Sequence, residues 1–154
     1  EIGSGLVGSE MCIRDRWWTA AHSAAQKIRF VFMENNVLLE KSLAFAARIV
    51  KVYRYLSEQQ HETVLSQQLL RSGTSIGANA NEAVYAVSKA DFISKLHISL
   101  KETAETEYWL RLLTLSQYLT AAESQSLLTD CLELKRILIA ILKTSKSTSE
   151  PPAT

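Results

Sequence analysis

Three histidines, two cysteines and sixteen carboxylate side chains are the raw material for bond chemistry in this 154-residue chain. Their spacing argues against it. Carboxylate-bridged metal sites in helical bundles draw Glu-x-x-His pairs from two helices. Here His61 precedes Glu62, and the residue three beyond His97 is Leu100. Cys12 and Cys131 have no partner pattern, which excludes a disulfide scaffold and a cysteine zinc site. Cys131 falls in an apolar stripe, where a thiol stays protonated and inert, so it is expected to pack as a small apolar residue. Gly73 and Gly77 stand four apart in "LLRSGTSIGANANEA", residues 69–83. No strand precedes them and no Gly-Lys-Ser/Thr follows, so they make no phosphate loop. Two glycines inside a helix cost about 1 kcal/mol each, and the reason expected for them is close approach of a neighbouring helix. The reading is of a protein that is not an enzyme, with no catalytic residue, no metal and no cofactor.

Other residues have the spacing to bind rather than react. Arg71, Ser75, Asn79 and Glu82 fall on or near one helical face, and Lys101, Glu105 and Tyr108 form a comparable row. One reading is a polar pocket or groove. The other, which we favour, is a buried network with Arg71 against Glu105 that fixes register, as a polar seam residue such as Asn79 can. Basic residues gather in two places. Lys41, Arg48, Lys51 and Arg54 stand against Glu34 and Glu40, and Lys135, Arg136, Lys143 and Lys146 against Asp130 and Glu133. Arg48, Lys51, Arg54, Lys135, Arg136 and Lys143 are the candidate phosphate contacts, since such contacts act together. An ordinary solvated face has the same composition.

The elements that position these residues are helices. Both prolines lie at 151 and 152 and glycines number five, so little interrupts regular structure. Asn36 can cap a helix over 37–56. Ser57 with Gln60, Ser88 with Asp91, and Thr120 with Glu123 each place a hydroxyl three residues before an acid or amide, the capping-box spacing. They predict helices over 59–87, 89–118 and 121–145. Apolar steps of three and four recur through Leu39, Leu43, Ala46, Val50 and Tyr53; through Leu65, Leu69, Ser72, Ile76, Asn79, Ala83 and Ala86; and through Leu127, Cys131, Leu134, Leu138 and Ile141. The third segment drifts more, through Ile93, Leu96, Leu100, Ala104, Tyr108, Leu112 and Leu115. Short links make consecutive helices antiparallel neighbours, so the fold class is all-α, an up-down-up-down antiparallel four-helix bundle.

A second apolar stripe on the first helix, Phe45, Ile49, Val52 and Leu56, and another on the fourth, Leu132, Ile139 and Leu142, exceed what one bundle buries. We expect a homo-oligomer; the alternative is a broad core face with some exposed leucine. No window approaches the roughly 18 to 20 apolar residues of a membrane span, and the N-terminus lacks a signal-peptide core, so no membrane role and a cytoplasmic location are expected.

The segment at 69–83, followed by "SKADFISKLHISLKETAETEYWLRLL" at 88–113, closely resembles bacterial four helix bundle proteins encoded in intervening sequences of large-subunit ribosomal RNA genes. That family is similar to the accessory variability determinant of diversity-generating retroelements. The resemblance covers Met33 to Lys146. It implies an up-down-up-down bundle, a homopentamer, and association with RNA or DNA or with a reverse transcriptase, without known catalysis. Family members begin with a methionine just before "NxLLEKS", and here "MENNVLLEKS" starts at Met33. Residues 1–32 are then expected to be a non-native leader without evolved contacts. Within them "LVGSEMCIRDR", residues 6–16, looks like a translated sequencing adaptor, ATG TGT ATA AGA GAC giving Met-Cys-Ile-Arg-Asp. Setting aside Arg14, Arg16, Lys27 and Arg29 with Glu1, Glu10 and Asp15 leaves thirteen basic and thirteen acidic residues. A neutral protomer is weak evidence for electrostatic capture of nucleic acid. The bundle is expected over 33–146 and a disordered tail over 147–154, the run "TSKSTSEPPAT" from 144 having little to bury. A purely structural or protein-interaction module is the alternative function.

Overall fold

The computed structural model describes residues 36–147. The adaptor-like leader at 1–32, the residues from Met33 to Asn35 and the tail at 148–154 lie outside the described residues. Four helices account for the chain between: α1, Val37–Glu58; α2, Val64–Val84; α3, Lys89–Leu115; and α4, Ala121–Ser147. Each packs on the next, and α1 closes the ring on α4 through the sparsest seam.

Paired positions across the seams give the topology. Gly73 faces Ile49 while Gly77 faces Ser42; the Ser99 hydroxyl donates to the Ile76 carbonyl, and Arg71 pairs with Glu105. Arg48 reaches Ser126 and Asp130 while Lys41 reaches Glu133. On each of these seams one number rises as the other falls, so α1–α2, α2–α3 and α1–α4 are antiparallel and the bundle is up-down-up-down.

Two of the three capping boxes form. The Ser88 hydroxyl accepts from the Asp91 N–H at 3.1 Å, and Asp91 reaches back to the Val87 N–H at 3.1 Å, one residue earlier than a standard box. Thr120 and Glu123 exchange both bonds, at 3.3 and 2.9 Å. Asn36 caps α1 by accepting from Leu38 and Leu39. The Ser57–Gln60 box is a correction. The Ser57 hydroxyl donates to the Tyr53 carbonyl, α1 continues to Glu58, and α2 starts five residues later than the sequence predicts. Glu62 caps α2 instead, its buried carboxylate accepting from the Leu65 and Ser66 N–H groups at 2.7 Å each. A carboxylate at a helix N-terminus gains from both the orphan donors and the helix dipole.

Two other ends differ from expectation. α2 stops at Val84 rather than 87. α3 stops at Leu115 rather than 118, because Gln117 takes φ 64°, and Tyr118 and Gln117 donate to the Leu113 and Thr114 carbonyls at 3.0 Å each. Those bonds make a Schellman motif, with glutamine where glycine is usual. α4 runs through Ser147, so the first residues of the tail-like run are helical.

The core corrects the stripe chosen for α1. Leu38, Ser42, Phe45, Ile49 and Leu56 are buried, whereas Leu43 is 73% exposed. The second stripe supplies the core through Phe45, Ile49 and Leu56, and the first lies at its edge, with Leu39, Ala46, Val50 and Tyr53 half-buried. On α3 the buried face is Leu96, Ser99, Thr103, Thr106, Leu110 and Leu113, so the drifting apolar row through Ala104, Tyr108 and Leu115 is not the core face. Its buried hydroxyls are satisfied by main-chain carbonyls, Thr103 donating to Ser99 at 2.9 Å and Thr106 to Glu102 at 2.8 Å. Burying a hydroxyl without such a partner costs about 1–3 kcal/mol, so these bonds let three short polar residues sit where leucine is expected. On α4 the predicted stripe is the core face through Leu127, Cys131, Leu134 and Leu138, but at its end Leu142, assigned to the second stripe, is buried and Ile141 is half-buried.

Candidate nucleic-acid interface

The six basic residues singled out from sequence divide by what they touch. Arg48 is engaged across the α1–α4 seam, pairing with Asp130 and donating to the Ser126 hydroxyl at 2.8 Å. Lys135 crosses the α3–α4 seam to Glu107 at 3.0 Å. Lys51, Arg54, Arg136 and Lys143 are exposed and make no ion pair among the described residues. They do not share one face. At about 100° per residue, Arg136 and Lys143 turn away from the Glu133 side of α4 that meets α1, which separates them from Lys51 and Arg54.

The polar row of α2 and α3 is also partly divided. Arg71 pairs with Glu105 as expected, and Trp109 Nε1 donates to the same Glu105 carboxylate at 3.2 Å. The pair sits at the rim rather than within the core, with the Arg71 side chain 57% exposed. Glu82 pairs with Lys95, which the sequence reading did not single out. Asn79 donates to the Ser75 carbonyl of its own helix at 2.9 Å and bridges to no other helix. Lys101 and Tyr108 are exposed, and the Tyr108 ring meets Trp109 edge-on, with centroids 5.0 Å apart and planes at 75°.

Two carboxylates on α3 have opposite surroundings. Glu107 accepts from Lys135 and, at 2.8 Å, from Arg111, and these hydrogen bonds hold its carboxyl below the usual range. Glu102 faces the α2 side; burial raises its carboxyl, and the nearby Glu105 charge raises it further. One of its oxygens, Oε2, is buried without a hydrogen-bond partner. Neither the periodicity nor the charge count of the sequence distinguishes these two glutamates, because the difference lies in which neighbouring helix each meets.

Cys131 is buried, its thiol pushed up to about 12, chiefly by burial and then by the Glu107 charge. Its sulfur donates to the Thr103 carbonyl at 3.4 Å. At neutral pH it is a protonated packing group. Among the described residues no cluster of three or more His, Cys, Asp or Glu side chains could hold a metal, and no helix is long and apolar enough to cross a membrane.

The α1–α2 face is of another kind. Leu39, Leu43, Ala46, Thr74, Gly77 and Ala78 line a half-open, mostly apolar groove of about 200 Å³. The α1–α2 seam beneath it holds no ion pair among the described residues, whereas each of the other three seams has at least one.

Comparison with known proteins agrees with the geometry. The sequence profile of the 23S rRNA-intervening sequence protein family matches residues 34–140. A crystal structure of a protein of unknown function from the S23 ribosomal protein family of Bacteroides thetaiotaomicron is similar over 70% of this chain and 99% of its own, with 53% sequence identity and a TM-score of 0.69. No curated protein matches the chain.

Proposed function

The chain belongs to the 23S rRNA-intervening sequence protein family, and from that premise we propose a non-enzymatic, homo-oligomeric four-helix bundle that binds RNA or DNA through its phosphates. In that role it binds nucleic acid itself or escorts an enzyme that acts on it, such as a reverse transcriptase. The observation that carries the reading is that cations stand exposed and outside ion pairs, Arg136 and Lys143 on one face of α4 among them. Repeated around a ring of subunits, a few such charges per protomer act together on a polyanion.

The uncharged α1–α2 groove supports self-association. A second copy laid on Leu43 and the groove beside it buries apolar surface, since no charged side chain lines that groove. That face also supports the second reading, a module whose work is protein contact alone.

Fluorescence anisotropy of labelled RNA and DNA oligonucleotides, measured over a salt series, separates the two. Binding that weakens linearly on a log–log salt plot is expected. Salt-insensitive absence of binding would leave the protein-contact module standing. Leu43→Glu is expected to yield a folded monomer in sedimentation velocity, and an unchanged mass would remove the α1–α2 face from the assembly.

A further inference from the structure

On α4, Leu132, Arg136, Ile139 and Lys143 recur at steps of four, three and four and so form one row. Lys135 reaches Glu107 on α3, whereas Asp130 and Glu133 are held by Arg48 and Lys41 on α1. The row is therefore on the α3 side of the outer surface of α4. On α3, Lys101, Ala104, Tyr108 and Arg111 recur at steps of three, four and three. They flank Glu107, which meets α4, and lie away from the α2-facing side marked by the contacts of Lys95 with Glu82 and Glu105 with Arg71. The two rows border the same outer groove. The Cys131 contact with Thr103 sets their level, placing Arg136 and Lys101 within roughly one helical turn of each other.

Acids near this groove are committed elsewhere. Glu105, one turn beyond Lys101, takes Arg71 and the Trp109 N–H. Glu133, three residues before Arg136, takes Lys41. Glu107 is shared by Lys135 and Arg111. What remains is a face with Lys101, Arg136 and Lys143 exposed and outside the ion pairs of the described residues, Arg111 exposed though paired with Glu107, and Tyr108, 58% exposed and edge-packed on Trp109, between these tiers. Lys51 and Arg54, by contrast, are two cations with Glu58 one turn beyond, and the tyrosines beside them, Tyr53 and Tyr55, are half-buried.

We infer that the α3–α4 groove is the nucleic-acid site, and that its ligand is single-stranded: Lys101, Arg136 and Lys143 hold phosphates while Tyr108 offers its ring to a base. Stacking on an exposed aromatic needs an unpaired base, and cations spaced along a groove track a backbone without reading sequence. The inference rests on the nucleic-acid reading above and moves its site away from Arg48, Lys51 and Arg54.

The test measures anisotropy of a fluorescein-labelled oligouridylate, and of a duplex of the same length, with the full chain. Its variants are Lys101→Gln/Arg136→Gln/Lys143→Gln, Tyr108→Leu and Lys51→Gln/Arg54→Gln, each checked for folding by circular dichroism. The triple variant is expected to bind more than tenfold more weakly, with its log–log salt slope shallower by about 2, as loss of three single-strand phosphate contacts implies. Tyr108→Leu should lose roughly tenfold with the slope unchanged, and Lys51→Gln/Arg54→Gln should stay near wild type. If the triple variant binds like wild type while Lys51→Gln/Arg54→Gln weakens, the inferred site is wrong and the nucleic-acid reading survives. If wild type shows no salt-dependent binding, both fall. A preference for duplex with a silent Tyr108→Leu overturns the single-strand assignment, and competition by polyglutamate as effective as by the oligonucleotide overturns nucleic acid as the ligand.

Discussion

At Gly73 a methyl group would come within 2.9 Å of Ile49 across the α1–α2 seam, whereas α3 and α4 meet beside a carboxylate, Glu107, shared between Lys135 and Arg111. The first seam is closed by missing side chains and the second has charges along its edge. The difference carries outward. Close packing of small residues leaves α1–α2 with an uncharged groove and an exposed Leu43. On α3–α4 the acids are committed to seams and cations remain on the surface. One side of the bundle suits another apolar surface, and the other suits a polyanion.

The largest break is at the glycine seam. Ile49 is fully buried against Gly73, so Ile49→Ala is expected to cost about 2–5 kcal/mol by leaving a cavity. Urea unfolding followed by circular dichroism measures it. Gly73→Ala forces its methyl against branched Ile49, where overpacking costs roughly 1–3 kcal/mol and the gain in helix propensity returns about 1 kcal/mol. A net loss is expected. Gly77→Ala meets the Ser42 hydroxyl oxygen at 3.1 Å and should be milder.

The charged seam is expected to be less sensitive and to depend on pH. Glu107→Gln should cost on the order of 1 kcal/mol at neutral pH, since the pair it breaks is partly screened. The folded-state carboxyl lies below its ordinary value of 4.5 because Lys135 and Arg111 donate to it. Its contribution is therefore present above that value and lost as pH falls through the lowered one, so wild type and variant should converge in acid. Glu102→Gln, the smallest effect, has the opposite sign. Burial raises this carboxyl above the same ordinary value, which makes the ionised form a burden at neutral pH. The variant should melt higher at pH 7, and its advantage should vanish as pH falls below about 4.5. Melting curves over a pH series read both.

The bundle was legible because helix starts and apolar steps are local. Ser88 with Asp91 and Thr120 with Glu123 form the caps that their spacing announces. The Arg71–Glu105 pair was legible too, since antiparallel neighbours bring those rows together. Helix ends were less so: Gln117 adopts a left-handed conformation without a glycine to signal it, and Glu62 caps α2 from a loop that a nearer hydroxyl and amide seemed to explain. The inward face of α1 was misread because both of its stripes are apolar, and the choice is made by Gly73 and Gly77, which admit Ile49 and Ser42. On α3, Ser99, Thr103 and Thr106 look like surface residues until their hydroxyls find main-chain carbonyls. The candidate phosphate contacts were grouped by helix, and sequence position could not show that Arg48 and Lys135 are committed to Asp130 and Glu107.

The contrast between an uncharged face for assembly and a charged face for ligand is tested most directly by sedimentation velocity of the wild-type chain at low and at high salt. An assembly held by the α1–α2 face should keep one mass across the series, because apolar contact is not weakened by ionic screening. Dissociation as salt rises would contradict the account, as would a monomer under both conditions.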